Sequence, residues 1–193
     1  MLVAALVAAG CGDTSNEDPP FDRPVPHIGR GPGYELPPAG RKVVGARAVA
    51  GLRCGRARKK HFGVHLELFA ERLDVVVSAG IGIAPPRIRD GAYVRRGRCE
   101  YPARTYEPTG LIEVDSGAEL TLGRFFDLWG QPLGRRRLLG FRARRGDRVL
   151  AFVNGERVPG DPRSIPLRRH DAIVLEVRGY FPPTRKYLFP PGL

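Results

Sequence analysis

The residues best placed to do chemistry are three cysteines, Cys11, Cys54 and Cys99, and the first sits where a lipid would be attached. Met1 to Gly10 reads MLVAALVAAG, an apolar run that closes on Ala8, Ala9 and Gly10 immediately before Cys11. Small residues there let the segment lie extended in a signal peptidase, and the freed N-terminal cysteine offers its thiol to a lipid donor. No Lys or Arg precedes the run, and Ala8 stands where the pattern prefers Leu, so the boundary is marked chiefly by the abrupt change to GDTSNEDPP after Cys11. Residues 1–10 are therefore expected to be a lipoprotein signal peptide, with Cys11 as the lipidation site. The expected location is the cell envelope, anchored on the extracytoplasmic face of a bacterial membrane or secreted.

Export changes how the other two cysteines read. With Cys11 carrying a lipid, Cys54 and Cys99 form a pair in an oxidising compartment, and a disulfide between them is expected. In the chain-entropy model a loop of that length contributes about 3–4 kcal/mol. Two free buried thiols are the alternative, and no CxxC or Cys/His metal spacing competes with either reading.

Further chemistry is sparse. The chain holds no GxSxG, HExxH, GxxxxGK[ST] or strand-following GxGxxG motif, so no catalytic residue and no cofactor is expected. Asp161, Arg163, His170 and Asp171 make a small polar group. Without a nucleophile beside them, they are expected to stabilise turns through Asx-type hydrogen bonds.

The formal charge of +12 suggests an anionic partner, but only four of the 32 basic residues are lysines (Lys42, Lys59, Lys60 and Lys186), an arginine bias that GC-rich coding produces. Eight basic residues and no acid lie between Arg41 and Lys60, and a second cluster runs from Arg135 to Arg148. On an exported chain, a basic stalk of this kind could hold anionic lipid or wall polymer, at about 1 kcal/mol per residue near an anionic surface. Nucleic acid is not expected, since no RNP, zinc-finger or helix-turn-helix pattern is present. A small-molecule ligand is left unidentified.

The elements that must position these groups follow from periodicity. Residues 11–60, rich in Pro, Gly and Arg, read as a stalk, and 61–193 as a single globular domain. FGVHLELFA (62–70) alternates as a strand and VVVSAGIGI (75–83) returns from it as the second arm of a hairpin. Residues 84–108 read as an irregular loop, and LIEVD (111–115) as a third strand. Leu122, Phe125, Phe126 and Trp129 fall on one helical stripe, with Thr121 as N-cap and Gly130 as the stop. Asn154-Gly155 predicts a type I′ hairpin over 148–158, and AIVLEV (172–177) a last strand. The C-terminal YFPPTRKYLFPPGL, with its four prolines, is expected to lie along the domain surface. The fold class is α+β, with the element order of a ubiquitin-like, or β-grasp, mixed sheet carrying one amphipathic helix and an enlarged loop. A small β-sandwich with one helix is the alternative.

VHLELF, SAGIGI, TLGRFFDLWGQPL, AFVNGERVPGDPRSIPLRRHDAIVLEV and FPPGL resemble the segments of an uncharacterised family of exported bacterial and archaeal proteins, over roughly residues 52–193. The resemblance implies a histidine-rich first strand and a His-Thr-His-Asp type run after the Cys and Tyr, a pairing suggestive of a metal site. Here His61 and His65 match the outer histidines, Gly63 takes the middle place, and Arg104, Thr105, Tyr106 and Glu107 stand where the second group falls. Residues four apart on a strand lie about 13 Å apart, too far to share one ion. No metal is therefore expected. His61, His65, Arg104, Tyr106 and Glu107 are candidate ligand-binding residues, with Arg104 as a guanidinium in place of a metal's charge. The expected function is a non-catalytic, lipid-anchored binding or interaction module. The alternatives are an envelope metal-handling protein or metalloenzyme relative with a degenerate site, and a structural module gripping anionic lipid or wall polymer.

Overall fold

The computed structural model describes residues 48–193 except 72 and 180–185, together with the backbone of Tyr34–Glu35. The expected signal peptide, Cys11 and most of the expected stalk lie outside the described residues.

The molecule is organised around one long strand. After β1 (Tyr34–Glu35) comes β2 (His61–Ala70), whose end turns back into β3 (Leu73–Val75), pairing Phe69 with Asp74 and Ala70 with Leu73. β1 runs parallel to β3. A separate hairpin, β4 (Ile88–Asp90) and β5 (Tyr93–Arg96), precedes the short β6 (Ala103–Arg104) and β7 (Leu111–Asp115). β7 runs antiparallel to the first half of β2, from His61↔Asp115 to His65↔Leu111. Helix α1 (Leu122–Trp129) leads into a three-stranded meander, β8 (Leu133–Gly134), β9 (Arg137–Leu138) and β10 (Phe141–Arg142). The hairpin β11 (Leu150–Val153) and β12 (Glu156–Arg157) is followed by β13 (Ala172–Val177). β13 lies between β11 and β2, antiparallel to the first and parallel to the second. All six of its residues are buried, as a strand at the centre of a covered sheet requires.

Alternation along β2 sorts the two faces of the sheet. Val64, Leu66, Leu68 and Ala70 join Ile112, Val114, Ile173 and Leu175 in the main core with Leu122, Phe125 and Phe126 of α1. Thr121 caps the helix as expected, accepting from the Arg124 N–H at 3.5 Å, and Gly130 ends it at φ 74°. Asn154 and Gly155 take the positive φ angles of the expected hairpin turn, 53° and 81°. On the other face of the sheet Phe69, Phe152 and Val174 form a second, smaller apolar cluster.

Four sequence expectations are corrected. The return strand of 75–83 stops at Val75. Gly80 and Gly82 adopt φ angles of +87° and +69°, a Cβ on Gly82 would lie 2.0 Å from the Ala103 carbonyl oxygen, and the place beside the first half of β2 is taken by β7. The loop 84–108 contains the β4–β5 hairpin, turned at Gly91-Ala92, and β6. The β8–β10 meander has no counterpart in the sequence reading. The last part of the expected stalk is packed on the domain: Leu52 is 7% exposed, and Gly55 exchanges main-chain hydrogen bonds with Glu100. A disulfide joins Cys54 to Cys99 beside that bridge, as expected.

Candidate functional site

The sheet face away from α1 collects polar side chains because the residues that alternate with the core positions are histidines and acids. On β2 these are His61 and His65, and on β7 Glu113 and Asp115. Register places His61 opposite Asp115, and Arg104 of β6 opposite Glu113. The outcome is a cluster built around one guanidinium.

Arg104 is 1% exposed. Its Nη1 donates to Asp115 Oδ1 at 2.6 Å, and its Nε donates to Tyr106 Oη at 3.0 Å and lies 3.2 Å from Glu100 Oε2. Nη2 is 3.7 Å from Glu113 Oε2. Tyr106 passes the contact on, its hydroxyl donating to Glu100 Oε2 at 2.6 Å. Burial disfavours the charge on Arg104, but the Asp115 hydrogen bond and the polar groups around it outweigh that effect and hold its pKa above the ordinary value. Burial, then the hydrogen bond to Glu100, pushes the Tyr106 phenol well above its usual range. Glu113 is raised mainly by burial, against the opposing pull of His61 and Arg104. Glu100 is held in place from outside the sheet by its bridge to Gly55 and its neighbour Cys99 in the disulfide.

His61 is the accessible edge of this cluster. Its Nε2 lies 3.5 Å from Glu113 Oε2, and its Nδ1 has no hydrogen-bond partner. His65 is held apart, its Nε2 donating to the Thr109 carbonyl at 3.0 Å and its ring stacked on Tyr187 with centroids 3.7 Å apart. Glu107 accepts from the Thr109 hydroxyl at 2.9 Å, and its charge helps raise the pKa of both Glu113 and Tyr187, behind burial in each case. The C-terminal residues 186–193 cross this face: Phe189 sits where a Cβ on Gly63 would come within 2.7 Å, and His170 Nε2 donates to the Leu193 main-chain oxygen at 2.6 Å.

Of the five candidates, His61, Arg104 and Tyr106 share one contact network through Glu113 and Glu100, while His65 and Glu107 meet through Thr109. Sequence reasoning missed Glu100, Glu113, Asp115 and Tyr187. Glu113 and Asp115 carried a usable signal, since they occupy the outward positions of LIEVD, but Glu100 and Tyr187 reach the site only through tertiary contacts. Of the second polar group Asp161 makes the expected Asx-type bond, while Asp171 meets the Asn154 side chain and His170 the chain end. Asp161 accepts from the Arg163 N–H at 3.0 Å, and Asp171 from Asn154 Nδ2 at 2.9 Å. Arg163 Nη2 donates instead to Asp127 of α1 at 2.8 Å.

The residues present do not fit a metal. Arg104 fills the space between the three carboxylates, and among the described residues no group of three His, Cys, Asp or Glu side chains has the arrangement to hold an ion. Among family models, curated proteins and solved structures, nothing matches this chain. What the arrangement offers chemically is a fixed positive centre, enclosed by carboxylates, with an imidazole–carboxylate pair at its rim. Such a rim can give and receive hydrogen bonds with a polar ligand.

Proposed function

We propose that this chain is a lipoprotein of the cell envelope, anchored through Cys11 on the extracytoplasmic face, whose domain serves as a non-catalytic binding module. The observation that carries the reading is the Cys54–Cys99 disulfide. It fits an oxidising compartment and leaves Cys11 as the one cysteine outside the bridge, at the place where the lipid would go. The described residues contain no helix long and apolar enough to cross a membrane. We assign the domain to the β-grasp class rather than a sandwich, on the support of β2 and β13 lying parallel and adjacent at the sheet centre with α1 packed on one face. The ligand-facing rim is His61 with Glu113, set on the rigid Arg104 hub.

Intact-mass analysis of the protein from its native envelope tests this. The expected mass begins at Cys11, carries a diacyl or triacyl group and lacks two hydrogens. An intact, unacylated chain with reduced thiols recovered from the cytosol would overturn the anchor and the location together. Under native spray, an ion retained through His61 would favour the metal-handling alternative.

A further inference from the structure

The β4–β5 hairpin stands largely exposed on the domain. Only Val94 among its strand residues is buried: it packs beside Gly80, and its N–H donates to the Tyr106 carbonyl at 2.8 Å. Arg89 lies opposite Val94. Alternation along β4 and the Asp90–Tyr93 pairing put Ile88, Asp90 and Tyr93 on the face turned away from Val94, while the register shifts between Ile88 and Arg89 and leaves both Arg89 and Arg96 exposed beside them. Ile88 is 50% and Tyr93 48% exposed, two of the three large apolar side chains open to this degree among the described residues.

Charge surrounds that apolar pair. Arg87, Arg89, Arg95, Arg96 and Arg98 lie within and beside the hairpin, against Asp90 as the only acid. Asp90 is engaged by Arg95 at 2.5 Å. Arg87, held by the Ile83 carbonyl at 2.7 Å, has its pKa lowered by burial and then by the charge of Arg89. Arg95 apart, these like charges are crowded around two exposed apolar groups with no carboxylate paired to them among the described residues.

We propose that this hairpin seats in the headgroup layer of an anionic phospholipid bilayer, with Ile88 and the Tyr93 ring entering the interface and Arg89, Arg96 and Arg98 on lipid phosphates. An aromatic and an aliphatic side chain ringed by arginines match the two chemistries of that layer. A soluble polyanion would satisfy the arginines and leave Ile88 in water. The inference rests on the envelope reading for a bilayer within reach of the domain.

The test uses the full chain with Cys11→Ser, which removes the acyl acceptor, and co-sedimentation with phosphatidylcholine vesicles with and without phosphatidylglycerol. Binding is expected to require phosphatidylglycerol and to weaken with salt. Arg89→Gln and Arg96→Gln are each expected to lower partitioning about fivefold, and the pair Ile88→Ser/Tyr93→Ser at least tenfold, on the scale of the apolar burial lost. Tyr93→Trp should blue-shift on the vesicles. Every variant carries the same leader, and circular dichroism checks that each is folded. Equal partitioning of wild type and all variants would overturn the proposal. So would an arginine-dependent interaction that Ile88→Ser/Tyr93→Ser leaves intact, which would mark a polyanion patch. Because the acyl group is absent from every sample, failure here is separable from failure to find lipid on Cys11 in the native protein.

Discussion

Replacing Arg104 by Met tests whether the polar cluster is held together by its one guanidinium. The side chain is 1% exposed and within 4 Å of three carboxylates, of which Asp115 and Glu100 are the closest at 2.6 and 3.2 Å. Methionine fills much of the volume but leaves Glu100, Glu113 and Asp115 facing one another without the guanidinium between them, His61 reaching only Glu113. Removing one partner of a buried ion pair costs about 3–5 kcal/mol, a large part of the 5–15 kcal/mol that a domain of this kind has in total. Arg104→Lys keeps the charge and loses the parallel donors, and should cost about half as much, close to one charged hydrogen bond of roughly 1.5–3 kcal/mol. Urea unfolding of the oxidised protein provides the assay, read by the single tryptophan, Trp129, which packs 5.5 Å from Phe126 in α1. The pH dependence has a definite sign. Without the guanidinium the crowded carboxylates repel one another while ionised and acid relieves the repulsion by neutralising them, so the stability lost at neutral pH should return as pH falls. The deficit of Arg104→Met should therefore be full at neutral pH and shrink in acid. A variant within about 1 kcal/mol of wild type at neutral pH, or a deficit independent of pH, would refute the reasoning that Arg104 compensates these charges.

Three further outcomes are expected. Glu113, raised by burial against the pull of His61 and Arg104, should make Glu113→Gln progressively more favourable relative to wild type as pH rises from acid to neutral, and a flat difference across that range would contradict the assignment. Gly63→Ala places a methyl 2.7 Å from the Phe189 ring and should release residues 186–193 from the sheet, seen as faster hydrogen exchange and proteolysis of that segment. Adding Phe189→Ala should remove most of the extra cost, so an additive double variant would be evidence against the contact. Cys54→Ala/Cys99→Ala should lower stability by about 3–4 kcal/mol in oxidising buffer, with no difference from wild type once both are reduced.

How much of this was legible in the sequence depends on the range of the forces involved. The alternation of FGVHLELFA, the stripe of Leu122, Phe125, Phe126 and Trp129, and the Asn154-Gly155 turn are local signals, and each produced the expected element. The Gly91-Ala92 turn after Asp90 was equally local. It went unread because the strands beside it are short, basic and solvent-exposed, without an apolar face to announce them. The apparent strand over 75–83 failed for the opposite reason: its residues are largely apolar and buried, but left-handed glycines and the competing register of β7 keep it off β2 beyond Val75, and residues 80–83 bond instead to the 100–105 segment. The Arg104 cluster was half visible. Arg104, Tyr106 and His61 could be named, whereas Glu100 is delivered by the loop that the disulfide pins, and Tyr187 by a segment crossing from the far end of the chain.

The parallel pairing of β2 with β13 sets when this protein can become a protein. His65 meets Ala172 and Ala70 meets Val177, contacts that span roughly a hundred residues of chain, so the middle of the sheet stays open until nearly the whole polypeptide is present. The antiparallel partners of β2, β3 and β7, are made early, but a chain stopped before Ala172 lacks the parallel neighbour that covers residues 65–70. The seam at the centre of the sheet is thus the last to close, when the final strand of the chain arrives.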